Sequence, residues 1–360
     1  MSRDPPVSPF VGLVVAVLAV SASAILVRYS EAPSLVKALY RVVFTVSLLA
    51  PVAFARSREE LRELPRRDLL WAGVAGVALA VHFASWFESL AWTSVAASVT
   101  LVQAQPLFVA IGAWALLDER ITRGVAVGIA VALFGMATMT LGDLFIPDIA
   151  RALAVLPGLE SLATLSTAGS AETTLAGEAP LYGDALALVG AVTAAAYVLA
   201  GRSLRQRISL IPYVTVVYTV CALVLLGFTL ARGHPLFDYA AREWVLFVAM
   251  AVGPGVFGHT VLNWALGYVE SSVVSVSLLG EPIGSTALAL ILLSEIPTPM
   301  TIFGGAVVLI GIYLTTVRKQ ADEAVETRQM LLVRRLTDAR LPSRLPILIL
   351  VSKLIFQSQR

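Results

Sequence analysis

Charge is scarce in this chain. Only 14% of its 360 residues are Asp, Glu, Lys or Arg, while 58% are apolar. A soluble domain carries about 25% charged residues, so a surface that faces water throughout is excluded. Cysteine occurs once, at Cys221, which excludes an intrachain disulfide. Histidine occurs three times, at His82, His234 and His259, with no HExxH or comparable spacing. No metal site and no cofactor is therefore expected. A GxxxxGK[ST] phosphate loop is also missing, which argues against built-in ATP hydrolysis. The net charge of +2 is small and its basic residues are dispersed between apolar runs, so no nucleic-acid patch is present.

What the chain has in abundance is long apolar runs, with a mean hydropathy of +0.84. A bilayer-spanning helix needs about 20 mostly apolar residues. Ten candidates meet that pattern, at 9–27, 34–55, 69–90, 94–117, 121–141, 183–201, 211–231, 244–266, 271–293 and 298–317. Five precede a long polar break and five follow it. The first run resembles a signal peptide only superficially, because it is long and nine further spans follow.

The two halves repeat one another. Shifting residues 91–138 by 176 positions lays Pro106 on Pro282, Gln105 on Glu281 and Glu119 on Glu295. Thr122 falls on Thr298, Gly128 on Gly304 and Gly135 on Gly311. Six landmarks in register indicate a duplicated unit. Five spans per half is an odd number, so the second copy enters the membrane inverted. The expected fold is an all-α integral membrane protein of ten transmembrane helices in two inverted five-helix repeats. Its segments are a first repeat at 9–142, an extracytoplasmic linker at 143–182, a second repeat at 183–317 and a tail at 318–360.

Orientation follows from short-loop arginines. Arg56, Arg58, Arg62, Arg66 and Arg67 follow the second span, Arg120 and Arg123 the fourth, and Arg202, Arg205 and Arg207 the sixth. These loops share one face, which the positive-inside rule makes cytoplasmic, with both termini there. The linker, rich in Ser, Thr, Ala and Gly over 161–179, falls outside and is read as mobile, with a short interfacial helix near 149–156. The tail ends in an apolar run, 346–356, too short to span.

Three stretches carry a family resemblance. GDALALVGAVTAAAYVLAGRSLRQR, with Gly183, Asp184, Ala195, Tyr197 and Arg202, resembles the sixth span of the drug/metabolite transporter superfamily, EamA type. NWALGYVESSVVSVSLLGEPIGSTALALILLSEIPT resembles the eighth and ninth spans, and WALLDERIT their first-half counterpart. The resemblance covers roughly residues 9–317 and implies a ten-helix transporter, most often an exporter, of amino-acid-like or drug-like metabolites. The implied partners are a small organic solute and the lipid bilayer of the plasma membrane. Protons are a candidate coupling ion, and a homodimer is left open.

Candidate site residues are polar or helix-breaking groups within spans. Pro106 and Pro282 each remove a backbone hydrogen bond and are hinge candidates. Gln103 and Gln105 precede Pro106 and Glu281 precedes Pro282, and an acid within a span normally faces protein or water. His82 and Trp86, and His259 and Asn263, are spaced four apart and share helix faces. Trp264 is deep enough to line a path. Arg41, beside Tyr40, suits a carboxylate or phosphate of protein or substrate. Its structural alternative is a fixed pair with Glu31, with Arg28 and Lys37 snorkelling. Glu119 and Glu295 end their spans, where an acid opposes the helix dipole, so pairing with arginine is the simple account. The glycines at 124, 128, 135, 304, 305 and 311 are read as packing seams. An intramembrane enzyme or a non-transporting scaffold are the alternative classes.

Overall fold

The computed structural model describes residues 8–117, 121–153, 178–204, 207–261 and 277–317. In the first half, α1 (Pro9–Tyr29) turns tightly into α2 (Ser34–Arg56), and the short α3 (Arg58–Glu63) leads to α4 (Arg66–Trp92). Then come α5 (Val95–Val102), α6 (Gln105–Leu117) and α7 (Arg123–Leu153). In the second half, α8 (Pro180–Leu204) and α9 (Leu210–Ala231) precede α10 (Ala241–Met250), which continues into a π-helical segment, Ala251–Thr260. The half closes with α11 (Gly280–Leu292) and α12 (Pro299–Val317). Among the described residues nine stretches are long and apolar enough to cross a bilayer, and α11 is a shorter apolar helix.

Apolar side chains are spread around these helices rather than confined to one stripe. Leu70, Leu116, Phe134, Leu223, Val245 and Ile291 all stand exposed on the outside of the bundle. Helices satisfy their own backbone polar groups, which lipid cannot do. A groove of about 550 Å³ between α4 and α9, walled by Leu70, Val74, Val77 and Val220, belongs to this apolar exterior.

Two features depart from the expected outline. α7 runs on to Leu153, past the expected span end at 141 and through the start of the expected separate helix at 149–156. Hydropathy falls there because of Asp143 and Asp148, but hydropathy marks the lipid boundary and not the end of backbone hydrogen bonding. The fourth span is broken outright: α5 stops at Val102 and α6 restarts at Gln105, placing Pro106 in the first turn of a new half-helix. Pro282 occupies the matching place in the first turn of α11. Proline is tolerated there because first-turn amides have no intrahelical partner.

The halves interlock. α4 of the first half packs along α8 and α9 of the second, and α1 packs against the π-helical segment and α11. Glycine sets the closest approaches. A methyl group on Gly284 would strike the Ser21 side chain, and one on Gly76 would stand 2.7 Å from the Val217 carbonyl oxygen. α7 and α12 meet through repeat-related glycines. A methyl on Gly128 would lie 2.9 Å from the Gly311 carbonyl oxygen, and one on Gly135 would lie 2.6 Å from the Val308 amide nitrogen. As one residue number rises the other falls, so the two helices cross antiparallel. That is the relation inverted copies require.

Candidate functional site

A polar group of residues is gathered inside the bundle from α1, α2, α4, the α5–α6 break and α11. Arg41 on α2 is 4% exposed. Its Nη1 donates to Ser23 Oγ on α1 at 3.1 Å. Aromatic rings of α4 pack around the guanidinium, with Phe83, Phe87 and Trp86 centroids 4.7, 5.6 and 5.8 Å from Cζ. Each such cation–π contact contributes about 0.5–2 kcal/mol. Among the described residues no carboxylate pairs with Arg41. Glu31, the structural alternative, instead pairs with Arg242 at 3.3 Å, and both are well exposed, so that bridge adds about 0–1 kcal/mol.

Glu281, in the first turn of α11, accepts from Gln103 Nε2 at 2.8 Å. A carboxylate there also faces the positive end of the α11 dipole. Ser21 Oγ donates to the Glu281 carbonyl at 3.4 Å, and Ser285 Oγ donates to the Ser21 carbonyl at 3.0 Å, tying α11 to α1. Gln103 reaches Glu281 because it lies in the helix break. Among the described residues Gln103, and not the repeat mate Gln105, is the glutamine bonded to that carboxylate.

His82 lies beside this group. Its Nδ1 donates to the Gly190 carbonyl of α8 at 2.9 Å, so Nε2 carries the lone pair. Its ring stacks on Trp86 at 5.9 Å. The Trp86 indole N–H is buried and has no hydrogen-bond partner among the described residues. Tyr40 points elsewhere. Its hydroxyl donates to the Leu236 carbonyl, and its ring stacks on Phe247 at 5.0 Å. Neighbouring residues on a helix are about 100° apart, so Tyr40 and Arg41 cannot share a face. The His259 side chain, Asn263 and Trp264 lie outside the described residues, as does Glu119.

Polar latches tie the two ends of the bundle. At the arginine-rich end, Asp68 in the first turn of α4 pairs with Arg207 of the α8–α9 loop at 3.2 Å. Glu60 of α3 accepts from the Ser209 amide at 2.7 Å and from its hydroxyl at 2.5 Å. At the other end, Glu243 in the first turn of α10 accepts from the Glu31 amide at 3.1 Å and from the Ser30 hydroxyl, both in the α1–α2 loop. Asp68 and Glu243 open the third span of their respective halves. Each grips the loop between the first and second spans of the opposite half.

Glu295 closes the same end as Glu243. Its Oε2 pairs with Arg28 Nη2 at 3.1 Å, and its Oε1 accepts the Val95 amide at 2.6 Å. Arg28 Nη1 also donates to the Leu90 carbonyl at 2.5 Å. The Glu295 carboxylate therefore caps the N-terminus of α5, where the dipole favours it, rather than opposing the end of its own helix. Its backbone turn is made possible by Ser294 at φ 54°, a left-handed conformation that side chains rarely adopt. Burial pushes the Glu295 carboxyl above the usual carboxylate range, while Arg28 and the Val95 N–H oppose that rise.

Duplicated landmarks, antiparallel glycine seams and crosswise latches all describe one repeated unit. The model of the EamA-like transporter family matches residues 8–141 and again 181–317. The chain belongs to the EamA-like transporter family. A protein of Archaeoglobus fulgidus named as an uncharacterised transporter is 28% identical over 287 residues, spanning 78% of this chain and 87% of that relative. A solved crystal structure superposes with a TM-score of 0.53 at 19% identity, covering 88% of this chain and 99% of the other. That likeness speaks to the fold alone.

Within this EamA-like transporter, Ser23, Phe83 and Asp68 join the site or its latches without having been candidates by sequence. Asp68 had a signal: it falls within one residue of Glu243 under the 176-residue shift. Ser23 and Phe83 had none, being ordinary residues of apolar helices.

Proposed function

We propose that this membrane transporter is a secondary carrier that exports small organic solutes, amino-acid-like or drug-like, by alternating access between its inverted halves. The observation that carries the reading is the crosswise pair of latches, Asp68–Arg207 at one end and Glu243 with Ser30 and Glu31 at the other. Inverted repeats give two related packings of one architecture. Latches of similar build at opposite ends allow one to release while the other holds. The Arg41–Glu281 group lies within the bundle between them and is the proposed solute site, with α5–α6 and α11 meeting it at half-helix ends. His82 and Glu281 are the candidate proton carriers. The arginine-rich end is placed in the cytoplasm of a plasma membrane, with both termini on that side.

Counterflow in sealed vesicles tests this. Purified protein is expected to give saturable, side-dependent exchange of at least one member of a broad metabolite panel. Absence of exchange for every solute, with and without a pH gradient, would end the carrier reading.

A further inference from the structure

Arg41 is a buried cation with most of its hydrogen-bonding capacity unspent. A guanidinium has five N–H donors, and among the described residues Arg41 donates one hydrogen bond, to Ser23 Oγ. Rings of Phe83, Trp86 and Phe87 surround it without supplying an acceptor. A second buried donor belongs to one of those rings. The Trp86 indole N–H is unpartnered although Trp86 is only 5% exposed. Leaving a buried donor unsatisfied is costly, and native proteins rarely leave one without a reason. Two under-used donors on facing helices, one of them charged, form half of a recognition site. The missing half is an acceptor.

We infer that Arg41 and Trp86 Nε1 together bind the carboxylate of a monoanionic organic solute whose apolar body lies along the Phe83 and Phe87 rings. This deepens the carrier reading and rests on it. The charge follows from the balance of the group. Among the described residues Arg41 is its cation, and Glu281, which accepts from Gln103, is its carboxylate. Each further negative charge is carried against that balance, so a monoanion is favoured over a dianionic phosphate, whose second charge adds to the cost. The planar fork of a guanidinium matches a carboxylate with two parallel hydrogen bonds. The indole N–H supplies a further donor, and the aromatic walls accept a flat apolar body.

The test compares acids with their neutral amides on the full-length protein. Probes are butanoate, 3-phenylpropanoate and their carboxamides, with binding read by tryptophan fluorescence and transport by counterflow. The acids are expected to bind at least tenfold more tightly than the amides, and 3-phenylpropanoate more tightly than butanoate. Arg41→Gln is expected to erase the preference for acid over amide. Trp86→Phe keeps the ring and removes the N–H, and is expected to weaken acid binding severalfold while amide binding stays constant. Trp86→Phe also serves as the deciding variant if Arg41→Gln does not fold. Equal affinity for acids and amides, or wild-type preference in a folded Arg41→Gln or in Trp86→Phe, overturns the inference. The carrier reading survives that result if neutral or cationic solutes exchange, and falls separately if no solute exchanges.

Discussion

Gly135 and Gly304 pack backbone against backbone, and the relation is reciprocal. A methyl on Gly135 would stand 2.8 Å from the Gly304 carbonyl oxygen, and a methyl on Gly304 would stand 2.7 Å from that of Gly135. Neither residue is the repeat mate of the other. Gly304 corresponds to Gly128 and Gly135 to Gly311, so the contact is the cross-term expected at a pseudo-twofold axis.

Gly304→Val should therefore lower the thermal midpoint in detergent, since the added carbons meet the backbone at Met139 and Gly135 rather than a side chain that can turn aside. Overpacking of this kind costs about 1–3 kcal/mol. Gly73→Ala is the control, because nothing stands within 4 Å of its added methyl. A Gly304→Val melt equal to wild type would remove the tight seam from the account.

Releasing one latch should bias the carrier toward opening at that end. Asp68→Asn is expected to raise side-dependent labelling of a cysteine placed near Arg207, and Glu243→Gln that of one placed near Ser30. The effect should be severalfold rather than hundredfold, because Arg207 is about half exposed and solvent screens its pair. Labelling that rose at the same end in both variants would contradict alternating release.

Acidification should loosen the Glu295 cap before it protonates ordinary surface carboxylates. Burial raises this carboxyl, so its charge is lost at a higher pH than an exposed glutamate's. The folded chain then holds this proton more tightly than the unfolded chain, so stability from this group rises as pH falls through its folded value. A fall in Val95 amide protection on acidification, measured against the intrinsic exchange rate at each pH, would thus report local release, not unfolding. Glu295→Gln should show the low protection at all pH values. High protection that does not change with pH would refute this.

Pro106→Ala and Pro282→Ala should each reduce exchange flux while leaving the melt within a few degrees of wild type. Both prolines sit in first turns, where removing them restores no lost hydrogen bond. The alanine N–H gains an intrahelical partner only where the helix runs on across the break, so the substitution favours continuous, stiffer helices. Unchanged counterflow in both variants would take the prolines off the list of hinges.

Much of the fold was legible because it follows from local composition. A run of apolar residues long enough to cross lipid must be helical, and the 176-residue shift exposed the duplication through prolines, acids and glycines in register. Arg41 and Glu281 stood out for the same reason, since charge within an apolar run is expensive wherever the chain goes. Sequence position could not say which groups meet. Register makes Gln105 the repeat mate of Glu281 but names no contact for either, and Gln103, in the helix break, is the residue that reaches that carboxylate. Tyr40 adjoins Arg41 in the chain and turns away from it in space.

The sequence by itself determined the helical, membrane-spanning class, the duplication and the inversion, because burial in lipid and an odd number of crossings leave few alternatives. Only the tertiary structure decided that Glu295 caps α5, that Asp68 and Glu243 latch opposite halves, and that Arg41 rests among three aromatic rings with no carboxylate paired to it among the described residues. Those pairings join residues far apart in the chain. They depend on how helices rotate and break against one another, which no local pattern encodes.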